Sequence, residues 1–418
     1  MVTNTYAPHV GGVARSVVSF SEEFRRRGHR VMVMAPMFGG APEREPDVIR
    51  IRALQNFNGS DFSVAVMPPL HVSHAVDAFR PDVIHSHHPF LLGSTAVRLA
   101  KSRGVPLVFT HHTLYERYTH YVPGDSAAMK RFIIRLSTNY ANLAARVFAP
   151  SESVARLLRE RDVTVPIKVV PTGVDLPAAP LAAVIALRQR LGIAAEALVA
   201  GTVGRLAEEK NLGFLCRALV RFLSADPAAH ALIVGDGPAA EEMRAIFAAA
   251  GVAGRAHFTG TLQGEALAAA YAAMDAFAFA SLTETQGLVL AEAMGAGVPV
   301  VALDASGARD IVREGVNGRL LRAADEAGFA AALGEVATGA FAEGARATGE
   351  TLSIRHAADL ALDEYRALRG RPYRVPLRLR ESWKRGWKFM RAEMQILSAT
   401  TGAATAAFQR ETPEEAKV

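Results

Sequence analysis

Cysteine is almost missing from this chain. Cys216 is the only one in 418 residues, so neither an intrachain disulfide nor a thiolate metal cluster can form, and the chemistry is not built on thiols. Long apolar runs are missing too. Charges such as Asp275 and Glu292 interrupt every hydrophobic stretch, which leaves no membrane-spanning helix. The opening residues, Met1-Val2-Thr3-Asn4-Thr5-Tyr6, lack the basic and apolar regions of a signal peptide, so a cytoplasmic location is expected. Aromatics are sparse, and both tryptophans, Trp383 and Trp387, fall in one C-terminal segment.

Half of the residues are hydrophobic, enough for two cores, and ordinary domain sizes suggest two or three units. The net charge of +6 hides a strong asymmetry. Between Arg369 and Arg391 nine basic residues face Glu381 alone, so the rest of the chain is close to neutral. Tyr373, Val375, Leu377, Leu379, Trp383, Trp387, Phe389 and Met390 are interleaved with these charges. Such a segment suits an anionic membrane surface, and it equally suits a tail that packs its aromatics on the protein and solvates its charges. No nucleic-acid partner is expected, because the basic charge is confined to this tail and no nucleic-acid motif accompanies it.

Apolar runs alternate with amphipathic helical stretches, the pattern of parallel sheets covered by helices, and it occurs twice. In a first domain, residues 1–175, strands are expected at 31–35, 48–51, 83–85, 107–110 and 147–149. In a second, residues 176–352, they are expected at 198–203, 231–234, 257–259, 276–278, 298–302 and 318–321. Open parallel sheets bind ligands beyond the carboxyl ends of their strands, so two facing domains make a cleft.

The chemistry concentrates at Thr283-Glu284-Thr285-Gln286-Gly287-Leu288, continued by Val289-Leu290-Ala291-Glu292-Ala293-Met294. Residues 288–296 read as a helix whose first amides face a ligand and attract phosphate, and Gly287 lets backbone come close. Glu292, about two turns in, is expected on the face of Glu284, where it can accept hydrogen bonds from vicinal hydroxyls. The spacing fits a sugar nucleotide, with one carboxylate for the sugar and one for the ribose. Upstream, Gly204-Arg205-Leu206-Ala207-Glu208-Glu209-Lys210-Asn211 sets Arg205 and Lys210 on a glycine-led turn. Downstream, Gly297-Val298-Pro299-Val300-Val301-Ala302 reads as the next strand.

These three motifs in order resemble glycosyltransferase family four, whose members are retaining and have the GT-B fold, and the likeness extends over most of the chain. The resemblance implies an α/β architecture of two Rossmann-like doubly wound domains facing a cleft. The first domain would bind acceptor and the second the nucleotide sugar. A helix at 353–370 would cross back to the first domain, ahead of the basic aromatic tail at 371–418. Arg205 and Lys210 correspond to the family's diphosphate loop, with helix-start amides around Thr285, Gln286, Gly287 and Leu288 adding to it. Gly235-Asp236-Gly237-Pro238 resembles the loop at the end of a nucleotide-domain strand. Val10-Gly11-Gly12-Val13 resembles the glycine pair after the first strand, which is expected to be abbreviated because only nine residues precede Val10. Phe109-Thr110-His111-His112-Thr113 resembles the strand end bearing the active-site histidine, with His112 the better match. His85, His87 and His88 would lie on the acceptor side.

No Asp-x-Asp occurs, so the resemblance implies a metal-independent transfer with no cofactor, the UDP-sugar serving as donor substrate. Residues 112–123 and 283–287 look like those of the family's diacylglycerol glucosyltransferases. Tyr115, Tyr118 and Tyr121 recur at helical spacing and fit either a face that meets an acyl chain or sugar, or plain core packing. Residues 129–146 fit an amphipathic helix that meets a membrane or a buried helix with a wet edge. The expected function is transfer of a hexose, glucose foremost, from a UDP-hexose to a glycerolipid such as diacylglycerol, at the inner face of a membrane. The alternatives are a soluble or polyprenyl-linked acceptor, a UDP-sugar epimerase of the same fold, and a sensor that keeps Glu292, Arg205 and Lys210 for binding but has no need of His112.

Overall fold

The computed structural model describes residues 1–9, 11–42, 45–54, 64–65, 70–117, 126–175, 178–282, 284 and 286–371. In the first α/β unit, Val33–Pro36 pairs in parallel with Val48–Ile51, while Ile84–Ser86, Leu107–Thr110, Arg146–Ala149 and Ile167–Val169 form a second parallel run. The segment around Val2 joins the two. Val2 bridges both Met34 and Ser86, its amide donating to His85 O at 2.8 Å while the amide of Thr3 donates to Met34 O at 3.0 Å. This segment thus lies between the two parallel runs, and Val2 is buried in the core.

The second unit is a six-stranded parallel sheet ordered Ala256–Phe258, His230–Val234, Val199–Val203, Ala276–Phe279, Val300–Leu303, Gly318–Leu321. Its inner strands are buried along nearly their whole length, as expected of parallel strands covered by helices on both faces. The chain winds outward from Val199–Val203 in one direction and from Ala276–Phe279 in the other. That reversal opens a crevice at the carboxyl ends of these two strands. The loops leaving them are Gly204 to Asn211 and Ala280 to Gly287.

Between the units the chain crosses twice. The amide of Val174 donates to Leu352 O at 2.9 Å, and that of Ile354 donates back to Val174 O at 2.9 Å. Ser353 then caps the helix Ile354–Leu368, its hydroxyl accepting from His356 N at 3.3 Å. Gly173, at φ +70°, permits this closeness, since a Cβ there would lie 2.7 Å from Ile354 Cα. The helix buries Ile354, Ala357, Ala361 and Leu362 in one core with Val17, Phe20, Phe24 and Phe148 of the first unit. Arg146 pairs with Glu364 at 2.8 Å on the same face. No helix among the described residues is long and apolar enough to cross a membrane.

Candidate active site

The basic loop is held by close backbone contact. Gly235 and Gly237 have φ of +137° and +154°, and a Cβ on either would lie 1.8 Å from Gly204 O or 2.3 Å from Leu206 O. Only glycine fits there. Leu206 N donates to Asp236 O at 2.9 Å, and Ala239 N to Leu206 O at 2.9 Å, so the two loops form one platform at the end of the sheet. Arg205 is exposed on it and makes no ion pair among the described residues. Lys210 turns inward and pairs with Glu284. Gly307, at φ +85°, gives Glu284 its room, because a Cβ at 307 would be 2.9 Å from that of Glu284.

Gly287, at φ +69°, starts the helix Leu288–Gly295 without a side-chain cap, so its first amides have no intrahelical acceptor. The helix starts at Leu288 as expected, but Glu292 lies little more than one turn into it rather than two, since four residues at 3.6 per turn separate them. It is buried, with Oε2 accepting from Tyr271 OH at 2.7 Å and Oε1 paired with Arg15 of the first unit. Arg15 belongs to the helix Gly12–Arg26. A Cβ on Gly12 would lie 3.9 Å from Leu288 Cδ1. The two helices therefore start at the same place, and both positive dipole ends meet in the cleft. Gln286 also crosses it, its carboxamide oxygen accepting from Thr172 N at 2.8 Å while its buried Nε2 has no partner among the described residues.

His112 lies on the first unit's wall. It ends the segment after strand Leu107–Thr110, and its Nε2 meets His87 Nδ1 at 2.9 Å. His85 bridges Thr110 Oγ1 at 2.7 Å and Tyr365 OH at 2.6 Å, and His88 Nδ1 accepts from Asn4 N at 3.0 Å. A small cavity lined by Ser16, His85, Thr110, His112 and Thr172 connects these rings to the Thr172–Gln286 contact. The cleft thus brings together Gly12, Lys210, Glu284, Gln286, Gly287, Leu288 and Glu292, with His112 on its wall and Arg205 and Gly237 on its rim.

Tyr115 departs from the expected helical stripe. It lies in a 3₁₀ turn, Tyr115–Arg117, with its ring edge-on to Phe90 at 5.1 Å and its hydroxyl buried. Tyr118, Tyr121, Thr285 and the basic tail from Pro372 onward fall outside the described residues. The expected amphipathic segment comprises the helix Ala127–Ala141, which ends before strand Arg146–Ala149. Lys130, Arg131 and Arg135 are exposed on it and Phe132, Ile133 and Ile134 half-buried. Arg15, Tyr271, Thr172 and Gly307 were not singled out by the sequence. Only Arg15 carried a signal, its place one turn after the glycine pair.

Burial keeps the histidines neutral. It drives His88 and His112 down to about 3 and His111 to about 4, and it lowers His85 and His87 well below the ordinary 6.5. The unfolded chain binds these protons at a higher pH than the folded one does. Stability is therefore full above about pH 6.5 and is lost as the pH falls toward these folded values, by about 1.4 kcal/mol per pH unit for each imidazole that stays neutral. Urea midpoints measured from pH 7.5 to 5 should fall steeply. A flat profile would mean that the cluster protonates in place.

Two Rossmann-like units facing a cleft, with the candidate site at the carboxyl ends of the second sheet, define the GT-B fold. The crystal structure of Anabaena HepE in complex with UDP-glucose matches at a TM-score of 0.67 and 21% identity, over 88% of this chain and 99% of that one. Residues 10–177 match the family model "Glycosyltransferase Family 4", and residues 197–338 match "Glycosyl transferases group 1". A GDP-mannose-dependent alpha-mannosyltransferase of Mycobacterium tuberculosis is 32% identical over 77% of this chain and 82% of its own. An alpha-monoglucosyldiacylglycerol synthase of Streptococcus pneumoniae is 28% identical over 72% of this chain and 70% of its own. The chain belongs to glycosyltransferase family 4.

Proposed function

We propose that this glycosyltransferase moves a hexose, glucose foremost, from a UDP-sugar to a glycerolipid such as diacylglycerol, with retention of configuration and without a metal ion. The convergence of Lys210–Glu284, Glu292 and two helix starts in the interdomain cleft carries the reading. A diphosphate fits where the dipole ends and the two loop cations meet. Glu292 takes the ribose hydroxyls and Glu284 the sugar. The bond from the anomeric carbon to the diphosphate oxygen breaks with its electron pair going to that oxygen. The acceptor hydroxyl oxygen bonds the same carbon on the same face, and its proton passes to the leaving phosphate. Arg205, Lys210 and the helix amides meet the growing charge, the task a metal ion would otherwise perform. His112 sits against the sugar on the acceptor side.

The lipid acceptor is supported by the pneumococcal relative, an alpha-monoglucosyldiacylglycerol synthase, and the UDP-sugar by the ligand of the Anabaena structure. A GDP-mannose donor is the second reading, favoured by the mycobacterial relative. The exposed cations and half-buried apolar residues of helix Ala127–Ala141, with the basic tail, support peripheral attachment to an anionic membrane.

The test follows radiolabelled UDP-glucose, UDP-galactose and GDP-mannose with diacylglycerol in mixed anionic vesicles, with and without EDTA. Label from UDP-glucose should enter the organic phase, unaffected by chelation. Nucleotide release without labelled lipid would defeat the lipid reading, and strict dependence on added divalent ion the metal-free one. In the same assay Glu284→Gln should impair turnover and leave UDP affinity nearly unchanged, whereas Glu292→Gln should weaken UDP itself.

A further inference from the structure

We infer that Arg15 is a positioning residue for the nucleotide, acting through Glu292 from the opposite domain, an inference that rests on Glu292 holding the ribose. The side chain of Glu292 is only 7% exposed, and its two partners, Arg15 and Tyr271, differ in kind. Tyr271, fully buried beside it in the same domain, supplies a neutral hydrogen bond to Oε2. Arg15 alone among the described residues brings it a positive charge, on Oε1, from the first unit.

A buried carboxylate without a counter-charge is costly, and the cost falls on whichever state needs it ionised. Glu292 is therefore best prepared for ribose when the first unit's helix Gly12–Arg26 stands against it. A carboxylate has about four lone-pair sites, so a diol can add to both oxygens while Arg15 and Tyr271 stay in place. Arg15 is half exposed and begins one turn after Gly11, whose carbonyl accepts the Arg15 amide at 2.9 Å, so its backbone is fixed while its guanidinium reaches across. Two further bonds across the cleft, Thr172 to Gln286 at 2.8 Å and Ser153 to Asp310 at 3.0 Å, touch neither Arg15 nor Glu292. Removing the guanidinium therefore deprives Glu292 of its charge partner and leaves those contacts intact. Nucleotide affinity depends in this way on a charge supplied by the opposite domain.

The experiment is calorimetry of UDP and of uridine on the full chain and its Arg15→Met, Arg15→Lys, Glu292→Gln and Arg15→Met/Glu292→Gln variants, with donor kinetics alongside. Arg15→Met should weaken both ligands about tenfold and raise the donor KM while kcat stays within about twofold, and Arg15→Lys should recover part of the loss. The double variant should bind no more weakly than Glu292→Gln alone, because the effect of Arg15 passes through that carboxylate. Losses that multiply in the double variant, or an Arg15→Met that binds UDP more tightly, would overturn the inference. Loss of UDP affinity with uridine unchanged would overturn it as well, assigning Arg15 to the diphosphate. A Glu292→Gln variant that binds UDP like the parent would overturn the ribose reading itself, and that result is separable because it does not involve Arg15.

Discussion

Replacing Lys210 by Ala should slow sugar transfer by about 10²- to 10³-fold, the loss expected when one preorganised charge is removed from a developing anion. Lys210 is the cation of the basic loop that faces inward, and its ammonium already lies against Glu284. Its removal leaves the Glu284 carboxylate without this partner and, on the proposed function, takes positive charge from the leaving diphosphate. Arg205, exposed on the platform rim, should cost less when changed to Ala. The measurement is initial rates of nucleotide release at saturating donor, with thermal unfolding as the control. Lys210 is 29% exposed in its side chain and belongs to no hydrophobic cluster, so the midpoint should hardly move. A rate within threefold of the parent would remove Lys210 from the chemistry.

The second large effect is on stability. Gly235→Ala should destabilise the second unit by about 3 kcal/mol or more, because it combines a left-handed-side φ of +137° with a Cβ 1.8 Å from the Gly204 carbonyl oxygen. That oxygen is backbone and has no rotamer by which to escape. The thermal midpoint should drop by about 6 °C or more, and UDP affinity should fall with it, since the displaced backbone is the base on which Arg205 stands. A Gly254→Ala control meets no heavy atom within 4 Å and should leave both quantities near the parent's. Equal midpoints for the two variants would show that the platform yields more readily than its contacts imply.

Much of this architecture was legible because parallel strands covered on both faces are written as short continuous apolar runs. Leu107–Thr110 and Gly318–Leu321 are found at their expected limits. Ile167–Val169 was not recognised, and its three residues are each only partly buried at the sheet edge, where the apolar signal is weakest. The pair Ala53–Leu54 and Val64–Ala65 was missed for a similar reason, two residues being too few to show a period. The candidate site divides along another line. Glycines at forced backbone positions and a carboxylate beside a helix start announce themselves locally. The partners of Glu292 do not, since Arg15 stands 277 positions away in sequence and Tyr271 stands 21 away on another helix. Their meeting depends on how the domains dock and how a helix turns, and no local pattern encodes either.

The helix Ile354–Leu368 has a consequence for synthesis. It supplies part of the core that closes over Val17, Phe20 and Phe24, so the first unit has a gap in its interior until the ribosome has passed residue 368. The second unit is a contiguous stretch and has its six strands available earlier. In order of emergence, the domain translated first is completed last. Until then its exposed apolar helix face is open to chaperones or to a wrong partner, and a chain arrested with residues up to Thr351 outside the ribosome and Ile354–Leu368 still inside it should display a complete second unit beside an unfinished first one.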